Sequence, residues 1–160
     1  VAAEAEAIED SLMARVKISF PISSEYGAVE RMFAQHTADN RYVLDNSPFY
    51  AFDISFCDEF FVKEVNGEKV FSGLASRGGH STYRIKLPKN KDHEYFLNYW
   101  EPLKELGCSF EGSSANERRL YSIDMPPDVN VHKAYQVMES LEDEGIWEFE
   151  EGHYYSASMQ

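Results

Sequence analysis

The chain has 160 residues, with 28 Asp and Glu against 15 Lys and Arg, a formal charge of −13. This length fits one ordinary domain or two small ones, and 43% hydrophobic with 14% aromatic residues is too rich for a disordered chain. The acidity repels nucleic acid and anionic lipid over most of the surface, and no apolar run approaches the ~20 residues of a membrane span. Two cysteines do not make a cystine scaffold and fit a reducing, cytoplasmic compartment.

The first fourteen residues are rich in Ala and Glu and read as a flexible or helical tail. From Arg15 to Pro21, Val16, Ile18 and Phe20 alternate with Arg15, Lys17 and Ser19, the period of a half-buried strand. Pro21 ends that strand or marks an edge. Tyr26–Phe33 reads as a short helix, or Met32–His36 as the start of a strand. Ala38-Asp39-Asn40 is a turn, and Arg41–Leu44 is a strand broken by Asn46-Ser47-Pro48. Glu59–Val65 and Glu68–Leu74 flank Asn66-Gly67, the strongest hairpin signal in the chain, because a type I′ turn needs positive φ at both central positions. These short strands predict a small, barrel-like β-rich part over residues 15–80.

After Gly78-Gly79 the pattern changes. Ser81–Leu87 alternates, with Tyr83, Ile85 and Leu87 on one face. Asp92 caps a helix with Phe96, Tyr99, Trp100, Leu103 and Leu106 inward, kinked or restarted at Pro102 and closed by Gly107. Cys108–Glu111 and Arg119–Met125 are strands joined by a polar linker. Asp128 or Asn130 caps a second helix carrying Val131, Ala134, Tyr135, Met138 and Leu141 inward, and Gly145 ends it. Ile146–Glu150 is a last strand. The order predicts a ferredoxin-like split βαβ part over residues 81–155, and an α+β fold overall.

The densest polar segment is Arg77-Gly78-Gly79-His80-Ser81-Thr82, followed by Arg84. Two glycines allow close backbone approach, and arginines, a histidine and hydroxyls suit a phosphate or carboxylate, so this segment is a candidate anion-binding site. The competing reading is a Gly-Gly turn with both arginines paired to local carboxylates. A catalytic His80 would need a carboxylate from elsewhere, with Asp45, Asp53 and Asp58 as choices. Neighbouring strand residues face opposite ways, so His80 and Ser81 are not a dyad, and no catalytic residue is assigned. There is no HExxH or CxxC, and neither a metal nor a cofactor is expected. Both cysteines read as small core hydrophobes.

Glu139–Glu151 holds seven carboxylates and no Lys or Arg. Glu142, Asp143, Glu144, Glu148, Glu150 and Glu151, with Trp147 and Tyr154 as aromatic anchors, form a candidate partner-binding surface; the competing reading is a solvated acidic face.

Tyr42-x-x-Asp45-Asn46-x-Pro48-Phe49, Gly79-His80-Ser81-Thr82-Tyr83-Arg84, Leu106-Gly107-Cys108, Pro126-Pro127-Asp128 and the Glu144–His153 run together resemble a family of small bacterial proteins known only as a domain of unknown function. The resemblance spans Arg15 to His153. It implies a bacterial, cytoplasmic protein and carries no activity, cofactor or catalytic residue. The functional expectation is a non-enzymatic protein-binding protein, such as an inhibitor or immunity protein, whose acidic surface blocks a basic partner. The rivals are a ligand-sensing or scaffold module that self-associates as a homodimer, and a small-anion receptor or enzyme built on the Arg77–Arg84 segment, with Asp45 or Asp58 orienting His80.

Overall fold

The structure, a computed structural model, describes residues 15–23, 27–115 and 117–157. The tail reading over residues 1–14 lies outside the described residues. The described chain divides into two compact units. One holds residues up to Asn46 together with Cys57–Gly78; the other holds Ser47–Phe56 together with residues from Gly79 on.

The first unit is an antiparallel meander of β1 (Arg15–Ser23), β2 (Ala28–Ala38), β3 (Arg41–Leu44), β4 (Glu59–Val65) and β5 (Glu68–Ser76). The short helix considered before Phe33 is replaced by β2, because the ladder from Arg15↔Gln35 to Pro21↔Val29 claims those backbone groups. Pro21 does not end β1, which bulges between Pro21 and Ser23 and continues. Asn66 and Gly67 have φ of 52° and 80°, the positive pair that the β4–β5 hairpin needs. Inside, Ile18, Phe20, Met32, Ala34, Leu44 and Phe60 are buried, with Phe20 against both Phe60 and Phe71.

The second unit runs β6 (Ser81–Lys86), α1 (His93–Glu105), β7 (Ser109–Ala115), β8 (Arg118–Met125), α2 (Val131–Asp143), β9 (Glu148–His153). Its sheet has the order β7-β8-β6-β9 with every neighbouring pair antiparallel. The polar linker expected before Arg118 is itself strand, since the β7–β8 pairing runs out to Ala115↔Arg118. α1 passes through Pro102 as one helix, with Asp92 accepting from the Tyr95 amide. Asn130, not Asp128, caps α2. Both helices pack on one face of the sheet, where Tyr83, Ile85, Phe96, Leu103, Tyr121, Ile123 and Met138 form the core. Phe96 stacks on Tyr121 with ring centroids 3.7 Å apart.

The α+β class stands as two sheets. The second unit has the strand-helix-strand-strand-helix-strand order and antiparallel sheet expected of a split βαβ part. The small barrel expected over residues 15–80, by contrast, is corrected to a sheet whose ends meet at one residue pair. Five antiparallel strands bring the first and last into parallel orientation, and β1 meets β5 through the parallel pair Ser19↔Val70. The second sheet keeps two edges, β7 and β9.

Candidate functional site

Alternation along β6 sends Tyr83 and Ile85 into the helical core and leaves Thr82 and Arg84 on the opposite face. Segment 47–56 lies over that face, fastened by side chains. Ser47 Oγ and Ser122 Oγ are 2.7 Å apart, and Ser122 donates to the Pro48 carbonyl at 2.6 Å. Arg84, 1% exposed, donates from Nη1 to the Ala51 carbonyl at 2.7 Å and from Nε to Glu150 at 2.9 Å, under the ring of Phe52. Ser55 Oγ meets Thr82 Oγ1 at 2.6 Å and His153 Nδ1 at 2.8 Å. Buried polar groups need such partners, so this face is a structural polar layer.

The segment Arg77–Arg84 falls on both units, and each of its cations has a local carboxylate. In the first unit, Asp58 accepts from Arg77 Nη1 at 3.0 Å and from the Gly78 amide at 2.9 Å. Gly78 has no room for a side chain, since a Cβ would stand 2.4 Å from the Cys57 carbonyl oxygen. In the second unit, Gly79 has φ +90° and sits against Pro127. His80 Nδ1 meets Asp124 at 2.9 Å, Ser81 Oγ accepts from the Tyr155 amide, and Arg84 pairs with Glu150. The carboxylate on His80 is therefore Asp124, not Asp45 or Asp58; Asp45 pairs with Arg15. Asp124 was missed because it is 44 residues away from His80 in the chain, and only the Thr82↔Asp124 register brings it there. Burial pushes the Asp124 carboxyl above its ordinary range, and His80 offsets this in part. Burial, with the nearby Asp124 charge, pushes the Cys108 thiol up to about 12. Cys108 is thus the expected core residue, whereas Cys57 is half-exposed.

The acidic segment is divided by its surroundings. Trp147 is not an exposed anchor: it is 2% exposed, with Nε1 donating to the Met138 carbonyl, because its position in the turn after α2 points it into the core. Glu142 accepts from the Phe149 amide, Glu148 pairs with Arg118 and Glu150 with Arg84. Glu151 accepts from the Tyr83 hydroxyl at 2.9 Å. Among the described residues, Glu139, Asp143 and Glu144 meet no cation. Tyr135 and Tyr154 are 37% and 46% exposed, and both lie near Tyr83. Burial first, then the Glu151 hydrogen bond and these two neighbours, raise the Tyr83 pKa.

A cleft of about 460 Å³ opens beside Arg84 in the second unit, between Phe49 and Tyr50 on segment 47–56 and Lys86, Arg118 and Phe149 on the sheet. Lys86 was legible as the next residue on the Thr82–Arg84 face of β6. Arg118 was not, because it arrives through the β6–β8 register. Among the described residues no three His, Cys, Asp or Glu side chains gather to hold a metal ion, and no helix is long and apolar enough to cross a membrane.

Fold and site together define a small two-sheet α+β protein whose second sheet carries a polar face under segment 47–56. The chain belongs to the family described as Domain of unknown function (DUF4265), which matches residues 30–149. A solved structure described as a novel crystal structure of a hypothetical protein from Neisseria gonorrhoeae has a similar fold, with a TM-score of 0.66, 16% identity, and 89% of this chain and 97% of that one covered. The resemblance to a small bacterial family of unknown function is thereby borne out. A comparison with curated proteins finds no match.

Proposed function

We propose that this is a non-enzymatic, cytoplasmic protein-binding protein that presents an acidic, tyrosine-bearing face to a basic partner and occludes it, as an inhibitor or immunity protein does. One observation supports this reading above the others. Around the buried Tyr83, its hydroxyl positions the Glu151 carboxylate, and the half-exposed Tyr135 and Tyr154 stand alongside. Asp143 and Glu144 add unpaired charge at the C-terminal end of α2, where the helix dipole favours cations. Tyrosines that need little side-chain ordering, flanked by carboxylates, suit recognition of Lys- and Arg-rich surfaces.

The test is affinity capture from the source bacterium, followed by kinetics on the captured protein. A basic partner whose association slows with added salt, and whose binding weakens at least roughly tenfold in Asp143→Lys/Glu144→Lys and in Tyr154→Ala, is the expected result. Binding unchanged in both variants would remove this face from the function. Self-association is the rival: a homodimer in light scattering that Tyr154→Ala dissolves would reassign the face to a second copy of the chain.

A further inference from the structure

We infer that the cleft beside Arg84 is a binding site for a small aromatic carboxylate. It stands apart from the Tyr83–Glu151 cluster and goes beyond the protein-binding reading. Its volume, about 460 Å³, lies in the range of small-ligand pockets, roughly 300–1,000 Å³. Phe49, Tyr50 and Leu120 supply apolar wall, which suits a planar ring. Arg84, Lys86 and Arg118 supply three cations in a chain of charge −13.

The cations are not equivalent. Arg84 is held by the Ala51 carbonyl and Glu150, and Arg118 by the Leu87 carbonyl and Glu148. Lys86, exposed at the end of β6, makes no ion pair among the described residues. The carboxylates of Glu148 and Glu150 are 68% and 55% exposed, so opening either pair toward a ligand costs little on the carboxylate side. The same two carboxylates decide the ligand's charge. Three cations against Glu148 and Glu150 leave the lining with one net positive charge, which matches a monoanion and leaves the further charges of a nucleotide or polyphosphate uncompensated. The ring packs against the aromatic wall and the carboxylate meets Lys86, with Arg118 beside it.

The probe is naphthalene-1-carboxylate, titrated into the full chain by calorimetry. Saturable 1:1 binding is expected, with 1-naphthalenemethanol and acetate each at least roughly tenfold weaker, because each lacks one half of the recognition. Lys86→Met keeps the aliphatic stem and should weaken naphthoate binding at least roughly tenfold, and Lys86→Glu should abolish it. Lys104→Met on α1 should leave binding unchanged, and melting curves of all three variants should match the wild type. Absence of saturable binding at millimolar probe would overturn the proposal. So would equal affinity for the neutral alcohol, insensitivity to Lys86→Met, or an equal loss in Lys104→Met.

Discussion

Arg84 is the residue through which the second unit's sheet holds segment 47–56. A guanidinium that is 1% exposed must have its N–H groups satisfied, and the Ala51 and Tyr50 carbonyls with Glu150 provide this. The partners differ in worth. Losing the guanidinium leaves a buried Ala51 carbonyl without its donor, whereas Glu150 is half in water. Arg84→Met should therefore cost about 2–4 kcal/mol in urea unfolding, and Glu150→Gln under about 1 kcal/mol. Arg84→Lys should rescue little, because one ammonium cannot span the forked set of acceptors. Asp124 makes a pH-dependent statement. Its folded pKa is raised above the ordinary 3.8 by burial, so the fold favours the neutral acid. That contribution is fully present below 3.8 and is lost as the pH rises through the raised value. Asp124→Asn, which keeps an acceptor for His80, should gain in melting temperature on the wild type as the pH is raised from about 3 to about 6. Parallel pH courses for the two proteins would count against a desolvated carboxylate.

At the scale of elements, the two helices of the second unit end in the same way. Gly107 donates to the Lys104 carbonyl and Cys108 to that of Leu103; Gly145 donates to Glu142 and Ile146 to Leu141. These are Schellman motifs, with both glycines at positive φ. The second one also explains why β9 begins at Glu148 and not at Ile146: the Ile146 amide belongs to the helix cap. The inner stripe of α2 is Ala134 and Met138, both fully buried. Met138→Asp should cost at least about 3 kcal/mol in urea unfolding, through lost packing and a desolvated charge. The exposed Glu139→Gln is the matching control and should change stability by less than about 0.5 kcal/mol. Glu142→Asp is a poorer control, because shortening the side chain withdraws the acceptor of the Phe149 amide. Equal midpoints for the Met138 and Glu139 variants would contradict the assignment of the stripe.

At the scale of the whole molecule, charge dominates. A chain of −13 repels itself, and most of its ion pairs involve at least one exposed side chain, as in Arg31–Glu68 and Lys69–Glu64. Such pairs contribute ~0–1 kcal/mol each, less than the general repulsion that salt screens. Raising sodium chloride from about 10 mM to about 300 mM should therefore raise the melting temperature by several degrees. A fall on adding salt would mean that the ion pairs outweigh the repulsion.

What the sequence determined by itself is local. Asn66-Gly67 makes a hairpin because both residues accept positive φ. Asp92 starts a helix because its side chain reaches the third amide, the second helix start is narrowed to Asp128 or Asn130, and the period-two run after Gly79 is a strand with Tyr83 and Ile85 inward. Each depends on residues a few positions apart, so local preference and periodicity carry the information. The tertiary structure decided the rest. It turned the run before Phe33 into β2 by pairing it with β1, and sent Trp147 inward from a segment rich in carboxylates. It placed segment 47–56 on the second sheet and gave His80 to Asp124. It brought Lys86, Arg118 and Phe149 around one cleft. These outcomes depend on strand register and on which buried polar groups find each other across tens of residues. No local pattern records that, because the free energy that selects a partner exists only once both surfaces have left water.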